Sequence, residues 1–409
     1  MCGRTCVIAV VCGVLALSAG GASAGTSGEI PEAVKRAEAL GKAINWAASQ
    51  ARSSVVRVST ERKISIQPPA ISEDMRRRLQ RQLPQQRNLP RRLGKVQTVT
   101  RRSSGSGIIL DKEGHILTCN HVLSDADKIT VTTAEGRSFE ATVRGTDQFT
   151  DVAVLKVDAD GLKPATLGEA DEMYVGQPLV AIGWPDGLDS SVSFGVISAL
   201  HQPFGAAPVE DFIHFDANVA NGGAGGPLVN LRGEVVGLVA GRMDGGAVAT
   251  SVEGRMEQVP GGSGGGFSAP TARPTNGPMM PGASGGPGFA IPINLIEEIL
   301  DELKSGKPVK RGFLGIYGKD LTPDAAAEMD YEGDAGTVID GIMDASPAEE
   351  AGLETGDVIV SANGTDLSSF QELRMMLARA KPGDVFTLKV WTEGETRTVK
   401  VELGERPNR

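Results

Sequence analysis

Short apolar runs separated by turn residues dominate the middle of the chain. Between Gly105 and Ala240, runs rich in Val, Ile and Leu recur at close intervals, with Gly, Pro and Asp between them. The clearest runs cover residues 107–110, 128–131, 152–155, 178–182 and 235–238. No segment with helical periodicity interrupts this series. Such spacing predicts an all-β barrel or sandwich for this part of the chain.

The N-terminus has the features of a secretory signal. Arg4 precedes an apolar run from Cys6 to Leu17, and small residues follow at 22–24. This layout predicts a cleaved signal peptide over 1–24, with a retained anchor as the alternative. No later stretch approaches the ~20 apolar residues that a spanning helix needs. The mature chain is therefore expected in a periplasmic or extracellular space, without a transmembrane segment.

Residues 25–53 predict an N-terminal helix. Apolar residues recur there at helical spacing in an Ala-rich stretch that ends near Ala51. Two roles stay open for this helix: packing on its own domain, or self-association.

Charge is unevenly distributed along the chain. The net charge is −10, but residues 60–102 carry 12 Lys and Arg against 3 Asp and Glu. A basic segment of this kind can contact an acidic protein, an anionic lipid or nucleic acid. Because no aromatic residues for base stacking lie among these charges, the pattern favours a solvated insertion, and no nucleic-acid partner is predicted.

Cysteine and histidine usage argues against disulfides and metal clusters. Three of the four cysteines lie in the signal segment, which leaves Cys119 alone in the mature chain and excludes an internal disulfide. The histidines show no ligand spacing with that cysteine, so the sequence predicts neither a metal site nor a cofactor. They are His115, His121, His201 and His214.

Composition also marks the domain boundaries. A β-rich domain is predicted over 54–304, with the basic insertion at 60–102 and a Gly/Pro-rich insertion at 243–287. A helix over 293–304 leads out of it, and a second domain follows over 308–404.

Three segments follow one another in an order that resembles the HtrA/Deg-type serine proteases. The strand and turn that present the catalytic histidine in that family are similar to residues 107–110 and 117–123. The segment with the orienting aspartate is similar to 150–156. The nucleophile motif Gly-Asn-Ser-Gly-Gly-Pro-Leu is similar to 222–228. Shorter similarities occur at 182–185, 193–198 and 288–292, so that the resemblance covers almost all of 54–403 apart from the insertions. It implies a mostly β fold, a trypsin-like double β-barrel followed by a C-terminal PDZ domain of the α+β type.

The same resemblance assigns the candidate catalytic residues. His121 would be the general base, Asp151 would orient it, and Gly222 and Gly223 would form the oxyanion hole. The nucleophile position, however, is Ala224. Alanine has no hydroxyl, and loss of the nucleophile costs on the order of 10⁶ in turnover. The sequence therefore predicts a pseudoprotease.

Other residues do not replace the missing serine on sequence grounds. Cys119 lies two positions before His121, but we expect a small buried thiol some distance from the glycine turn. Four serines near the motifs lack the glycine frame of a nucleophile turn: Ser104, Ser106, Ser190 and Ser191.

The surroundings of Ala224 indicate how the serine was lost. Gly223 stands where the family has asparagine, and residues 219–221 replace the usual Ile-Asn-Pro. Several departures around one point favour natural loss of cleavage over a single replacement of the nucleophile.

Residues 311–403 resemble a PDZ domain of the same family. The segments 346–353 and 356–364 are its most specific match, and 311–316 matches the loop that binds a peptide carboxylate through backbone N–H groups. The predicted peptide-binding residues are Phe313, Leu314, Gly315, Ile316, Phe370, Leu373 and Leu377. The last three share a helical spacing, which leaves open whether each lines the groove or belongs to the core.

These features predict an exported HtrA-like endopeptidase homologue in protein quality control. It would bind unfolded proteins or exposed protein C-termini, with proteolysis lost at Ala224. An active protease and a regulatory subunit of active paralogues are the alternatives, and the resemblance implies a homotrimer.

Overall fold

The computed structural model describes residues 32–66, 97–123, 125–185, 189–202, 211–244, 247–249 and 288–405. The predicted signal peptide lies outside the described residues, as do 67–96 of the basic insertion and 250–287 of the Gly/Pro-rich insertion. No helix in the described part of the chain has the length and apolar character needed to cross a membrane.

Six antiparallel strands close into a first barrel in the order β1-β2-β3-β6-β5-β4. They are β1 (Val55–Ile66), β2 (Gln97–Ile109), β3 (His115–Cys119), β4 (Lys128–Thr132), β5 (Ser138–Asp147) and β6 (Val152–Lys156). In β4, Ile129 and Val131 are buried while Lys128 is exposed, because alternate side chains of a strand point to opposite faces. The predicted β-barrel architecture is confirmed.

Part of the predicted basic insertion forms β-strands. β1 and β2 pair without interruption from Val55 opposite Ile108 to Ile66 opposite Gln97. Residues 60–66 and 97–102, which the sequence placed in the insertion, therefore belong to a long β-hairpin. Its charged side chains face solvent, and Arg102 Nε donates to Glu61 Oε1 at 2.9 Å.

A seven-stranded sheet forms the second barrel, in the order β10-β7-β8-β9-β13-β11-β12, and a β10–β11 pairing closes it. Its strands are β7 (Pro178–Gly183), β8 (Ser191–Gln202), β9 (Phe212–Phe215), β10 (Pro227–Asn230), β11 (Val235–Asp244), β12 (Ala247–Ala249) and β13 (Gly288–Pro292). β11 and β12 extend into the predicted insertion at 243–287.

The described part of the chain before the second domain also contains the helices α1 (Glu32–Arg52), α2 (Asn120–Leu123) and α3 (Ile293–Ser305). The first turns of α1, up to Lys42, belong to a separate unit of the chain. In the last turns of α1, Ala48 and Ala51 pack into the barrel core. α3 ends at Gly306, which adopts φ 71° and donates to the carbonyls of Glu302 and Leu303.

The second domain is a separate β-sheet with short helices, in the strand order β15-β16-β17-β19-β20, and β18 pairs with β17. Its strands are β14 (Gly312–Phe313), β15 (Ile316–Asp320), β16 (Thr337–Ile342), β17 (Val358–Ala362), β18 (Thr365–Asp366), β19 (Val385–Thr392), β20 (Glu395–Glu402) and β21 (Gly404–Glu405), and its helices are α4 (Pro323–Glu328), α5 (Pro347–Glu350) and α6 (Phe370–Arg379). β14 pairs with β21. β15 lies at the edge of the main sheet, which leaves one side of its backbone unpaired within that sheet.

A buried ion pair connects this domain to the first barrel. Arg311 donates through Nη1 and Nη2 to the two carboxylate oxygens of Asp147, at 2.8 and 2.7 Å. Both side chains are 6% exposed. Thr150 donates to the same carboxylate through its hydroxyl and its backbone N–H. The sequence did not indicate this contact.

Candidate active site

Strand register brings His121 and Asp151 together. Cys119, the last residue of β3, pairs with Val152, the first residue of β6. Because β3 and β6 are antiparallel, the residues just after β3 and just before β6 lie at the same end of the sheet. The backbone N–H of Asn120 donates to the carbonyl of Asp151 at 2.9 Å, which holds the two segments in place.

His121 and Asp151 form a buried dyad. His121 Nδ1 lies 2.5 Å from Asp151 Oδ2, and the His121 backbone N–H donates to Asp151 Oδ1 at 2.9 Å. The His121 side chain is 5% exposed and that of Asp151 is 19% exposed. Asp151 has φ 57°, a conformation that costs energy for a residue other than glycine. A carboxylate on Nδ1 fixes one imidazole tautomer, as a general base requires.

The turn that carries Ala224 is anchored on both barrels. The carbonyl of Ala224 accepts from the Ser106 backbone N–H at 2.7 Å, and the Gly225 N–H donates to the Val239 carbonyl at 2.7 Å. Gly225 has φ 85°, and a Cβ there would lie 2.1 Å from the Ser106 carbonyl oxygen. Only glycine fits this close approach.

Ala224 and the histidine segment meet at Gly105 on β2. A Cβ built on Gly105 would lie 2.5 Å from Val122 Cγ1 and 3.1 Å from the Ala224 carbonyl oxygen. The residue after His121 and the nucleophile position thus contact the same strand. The residue at the predicted nucleophile position is alanine, whose side chain is a methyl group.

The two predicted oxyanion-hole glycines differ in their surroundings. Gly222 has φ 88° in the turn before Ala224. The Gly223 N–H donates to the Ala220 carbonyl at 2.9 Å, so this hydrogen bond must break before Gly223 can serve a substrate oxygen. Their role in an oxyanion hole stays a prediction.

Cys119 lies closer to the glycine turn than its place in the sequence suggested. Its Sγ is 3.4 Å from the Val239 carbonyl oxygen, which also accepts from Gly225. The thiol is fully buried, and burial, together with the nearby Asp151 carboxylate, raises its pKa well above the usual range. A buried, protonated thiol is a poor nucleophile. The expected buried thiol is found, but the expected separation from the turn is wrong.

Cys119 also completes a group of potential metal ligands. The ligand atoms of Cys119, His121 and Asp151 all lie within 4.8 Å of one another. Sequence spacing did not indicate this group, because Asp151 comes from a different strand.

Two of the serines considered as substitutes make structural hydrogen bonds. Ser106 Oγ donates to the Gly222 carbonyl at 2.7 Å and accepts from the Trp184 N–H at 2.8 Å. Ser190 Oγ accepts from Arg52 Nε at 2.7 Å. Ser106 therefore holds the nucleophile turn in place, a role that sequence reasoning missed. Its position between Gly105 and Gly107 was the available signal, because glycines mark close backbone approach.

A small pocket opens beside the turn. Its walls include Val219, Gly223, Gly183, Ser191 and Ser193.

The predicted peptide-binding residues of the second domain occupy two environments. Leu314 and Leu373 are buried in its core, and Leu373 has no exposed surface, so it does not line an open groove. Phe370 and Leu377 of α6 are partly exposed beside this core. The ring of Phe370 lies against β15, since a Cβ on Gly318 would be 2.7 Å from its Cδ2.

The loop before β15 has a backbone suited to a bound carboxylate. Gly315 has φ 87°, and a Cβ there would lie 2.2 Å from Ser346 Cβ. Phe313 and Ile316 flank this glycine and are partly exposed. The predicted peptide groove would lie between this loop, β15 and α6.

A second histidine–carboxylate pair lies outside the candidate site. His115 Nδ1 is 2.8 Å from Asp111 Oδ2, and Lys304 Nζ is 2.9 Å from the same oxygen. Burial raises the pKa of Asp111, but the hydrogen bonds from the His115 backbone, Lys304 and the His115 ring outweigh it and lower that pKa to about 2. No cysteine ligand accompanies this pair among the described residues.

Comparison with known proteins matches both domains. Residues 105–238 match the family described as trypsin-like peptidase domain, and residues 338–392 match the PDZ domain family. A probable periplasmic serine endoprotease, DegP-like, from Hahella chejuensis is 35% identical over 306 residues, which are 75% of this chain and 58% of that protein. The protein of the same description from Pseudomonas fulva is 32% identical over 368 residues, 87% of this chain and 68% of that protein.

Solved structures agree with this relationship. The HtrA-type protease AlgW with a decapeptide superposes with a TM-score of 0.65 at 29% identity, covering 89% of this chain and 98% of that one. A serine endoprotease from Yersinia pestis gives a TM-score of 0.56 at 25% identity, with the same coverage. The chain therefore belongs to the HtrA/DegP-type family of trypsin-like serine proteases that carry a PDZ domain.

Proposed function

We propose that this chain is an exported HtrA-type homologue that binds unfolded polypeptides or protein C-termini and has lost proteolysis. The observation that carries the proposal is the site itself: a buried His121–Asp151 dyad beside a glycine turn whose nucleophile position is Ala224. The periplasmic names of the relatives and the predicted signal over 1–24 support export to the periplasm. The family also supports a homo-oligomer, a trimer by resemblance.

Chemistry supports the loss of cleavage. In the serine-protease mechanism the histidine takes its proton from the hydroxyl or thiol of the nucleophile. Ala224 presents none, and Cys119 is fully buried. Ser106 and Ser190 are engaged in hydrogen bonds to other segments. Binding and the oxyanion hole alone leave about 10³–10⁴-fold acceleration over water, far below protease activity.

Restoring the hydroxyl tests this part of the proposal. Wild type should neither cleave casein nor react with a fluorophosphonate probe, whereas Ala224→Ser should become labelled if the dyad is still competent. The double variant Ala224→Ser with His121→Ala is the matched control and should not be labelled. Cleavage by wild type that disappears in His121→Ala would instead establish the alternative, an active protease.

The C-terminal domain supports peptide binding. Edge strand β15 can pair with an extended peptide through its backbone, and the loop containing Gly315 can direct N–H groups at a terminal carboxylate. Main-chain pairing of this kind demands little of the peptide sequence, which suits a binder of many unfolded clients.

A peptide titration tests the groove. A fluorescent decapeptide with an apolar last residue and a free carboxylate should bind, and its C-terminal amide should bind about tenfold or more weakly, since hydrogen bonds to a charged group contribute about 1.5–3 kcal/mol. Gly315→Val should weaken binding of the free carboxylate similarly, because its side chain would collide with Ser346. Gly364→Val is the control: Gly364 also has positive φ but no atom within 4 Å of its Cβ position. Equal binding of acid and amide would refute the groove assignment.

A regulatory role in mixed oligomers is the remaining alternative. Purification of the chain from its native cell distinguishes it from a chaperone-like role. An active paralogue that copurifies in fixed stoichiometry would support regulation, whereas suppression of client aggregation by the isolated chain would support independent binding.

A further inference from the structure

The group formed by Cys119, His121 and Asp151 combines three donor types that suit one metal ion. A thiolate, an imidazole and a carboxylate are the usual zinc ligands, and Zn²⁺ binds them at about 2.0–2.3 Å in a tetrahedral site. Their ligand atoms lie within 4.8 Å of one another, about 1 Å wider than the edge of such a tetrahedron. Shifts of about 1 Å, inward for the widest separation and outward for the closest one, bring all three atoms to one ion.

A fourth donor, a backbone carbonyl oxygen, lies beside Cys119. The Val239 carbonyl oxygen lies 3.4 Å from Cys119 Sγ, close to the ligand-to-ligand separation of about 3.5 Å in a tetrahedral zinc–sulfur site. This carbonyl, or a water on the Ala224 side, can complete four-coordination. The closest contact, from His121 Nδ1 to Asp151 Oδ2 at 2.5 Å, has to open by about 1 Å to admit the ion.

Charge balance favours a divalent cation over any other occupant. Cys119 as thiolate and Asp151 as carboxylate together neutralise a 2+ ion, so the buried site carries no net charge once it is loaded. Burial then favours a neutral complex, whereas it penalises an isolated ion. Because soft thiolate ligands select zinc over magnesium or calcium, the donor set excludes the hard cations.

We propose that Cys119, His121 and Asp151 form a binding site for a thiophilic divalent cation, with Zn²⁺ as the natural occupant. When the metal–sulfur bond forms, the Cys119 thiol gives its proton to solvent. The imidazole changes tautomer: Nδ1 gives up the proton that it shares with Asp151, Nε2 takes one up from solvent, and the neutral ring binds the metal through Nδ1. Asp151 exchanges its hydrogen bond to Nδ1 for a bond to the metal. The site thus uses two residues of the former triad together with the cysteine beside them.

Cobalt is the spectroscopic probe for this site. In the full chain with Cys2, Cys6 and Cys12 replaced by serine and bound metal removed with EDTA, one Co²⁺ per chain should produce a thiolate-to-cobalt charge-transfer band in the near ultraviolet. Added Zn²⁺ should displace it. Cys119→Ser should abolish the band and weaken binding by more than the 10–100-fold that loss of a mere outer-shell partner causes.

His115→Ala is the matched control, because it removes a histidine that also lies beside an aspartate but has no cysteine with it in the described part of the chain. It should leave the cobalt band unchanged. A band that persists in Cys119→Ser, or no band in the parent chain at millimolar Co²⁺, would overturn the proposal.

X-ray absorption of the zinc-loaded parent chain tests the ligand set directly. It needs no substitution at Cys119, so its result does not depend on whether a variant folds. The expected result is one sulfur at about 2.3 Å with nitrogen and oxygen at about 2.0–2.1 Å. A shell without sulfur would exclude Cys119. Because this measurement does not involve cleavage or peptide binding, its outcome is independent of the proposed function.

Discussion

The ion pair between Arg311 and Asp147 makes the connection between the two domains testable. Arg311 directly precedes β14, the first strand of the PDZ domain, and Asp147 ends β5, four residues before Asp151. Thr150, the neighbour of Asp151, donates to the Asp147 carboxylate as well. Replacing Arg311 by leucine removes both guanidinium hydrogen bonds to Asp147. The buried Asp147 carboxylate then keeps only its hydrogen bonds from Thr150, of the partners in the described part of the chain.

The structure sets the expected magnitude. Both side chains are 6% exposed, so the lost attraction is not replaced by water. Removing one partner of such a pair costs about 3–5 kcal/mol. Arg311 Nε is buried without a hydrogen bond in the described structure, which makes the intact pair less favourable than its geometry suggests. Replacing both residues by leucine should therefore cost much less than the sum of the two single changes.

Urea unfolding of the four chains in this double-mutant cycle measures the coupling. Trp184 reports on the barrels and Trp391 on the PDZ domain, so their fluorescence shows whether the two domains unfold together. Lys310→Leu is the control, because Lys310 pairs with Glu405 at 3.0 Å on the surface, where an ion pair contributes about 0.2–1 kcal/mol. The reasoning is refuted if Arg311→Leu costs no more than Lys310→Leu, or if the cycle is additive.

Two further changes probe the barrels. Gly225→Ala should destabilise the fold by about 2 kcal/mol or more, because the new Cβ would lie 2.1 Å from the Ser106 carbonyl oxygen. Gly136→Ala is the control: Gly136 also has positive φ but lies in open space, so this change should cost only about 1 kcal/mol. Equal shifts of the melting temperature in the two variants would contradict the steric argument. Asp111→Asn should cost about 2 kcal/mol at neutral pH, since the carboxyl pKa falls from 3.8 to about 2 on folding. This contribution is complete above pH 4 and disappears as the pH falls to about 2, so wild type and Asp111→Asn should converge in acid denaturation, and a constant gap would rule out this pair as the cause.

Much of the architecture follows from local pattern. Strand runs separated by Gly, Pro and Asp indicate a β-rich domain, because side-chain alternation and turn chemistry act over a few residues. The motifs around His121, Asp151 and Ala224 predict the candidate site in the same way. The alanine at the predicted nucleophile position is read from the sequence alone and needs no structure to be seen.

Composition was a weaker guide to boundaries. The charged residues at 60–66 and 97–102 were predicted as part of an insertion, yet they form the outer half of the β1–β2 hairpin. A hairpin that projects into solvent gains backbone hydrogen bonds without needing apolar side chains, so its sequence resembles that of a loop. Leu373 shows a limit of periodicity as a guide. Its helical spacing predicted a groove residue, but it is buried in the core, because spacing alone does not distinguish a groove side chain from a core side chain.

Only the tertiary structure decided which distant residues meet. His121 and Asp151 are 30 positions apart and Asp147 and Arg311 are 164 apart, and strand register and domain contact bring each pair into hydrogen-bond distance. Cys119 contacts the glycine turn for the same reason. Local propensity and pattern are encoded within a few residues, whereas the ligand set of Cys119, His121 and Asp151 exists only once β3 and β6 have paired and the barrels have closed around them.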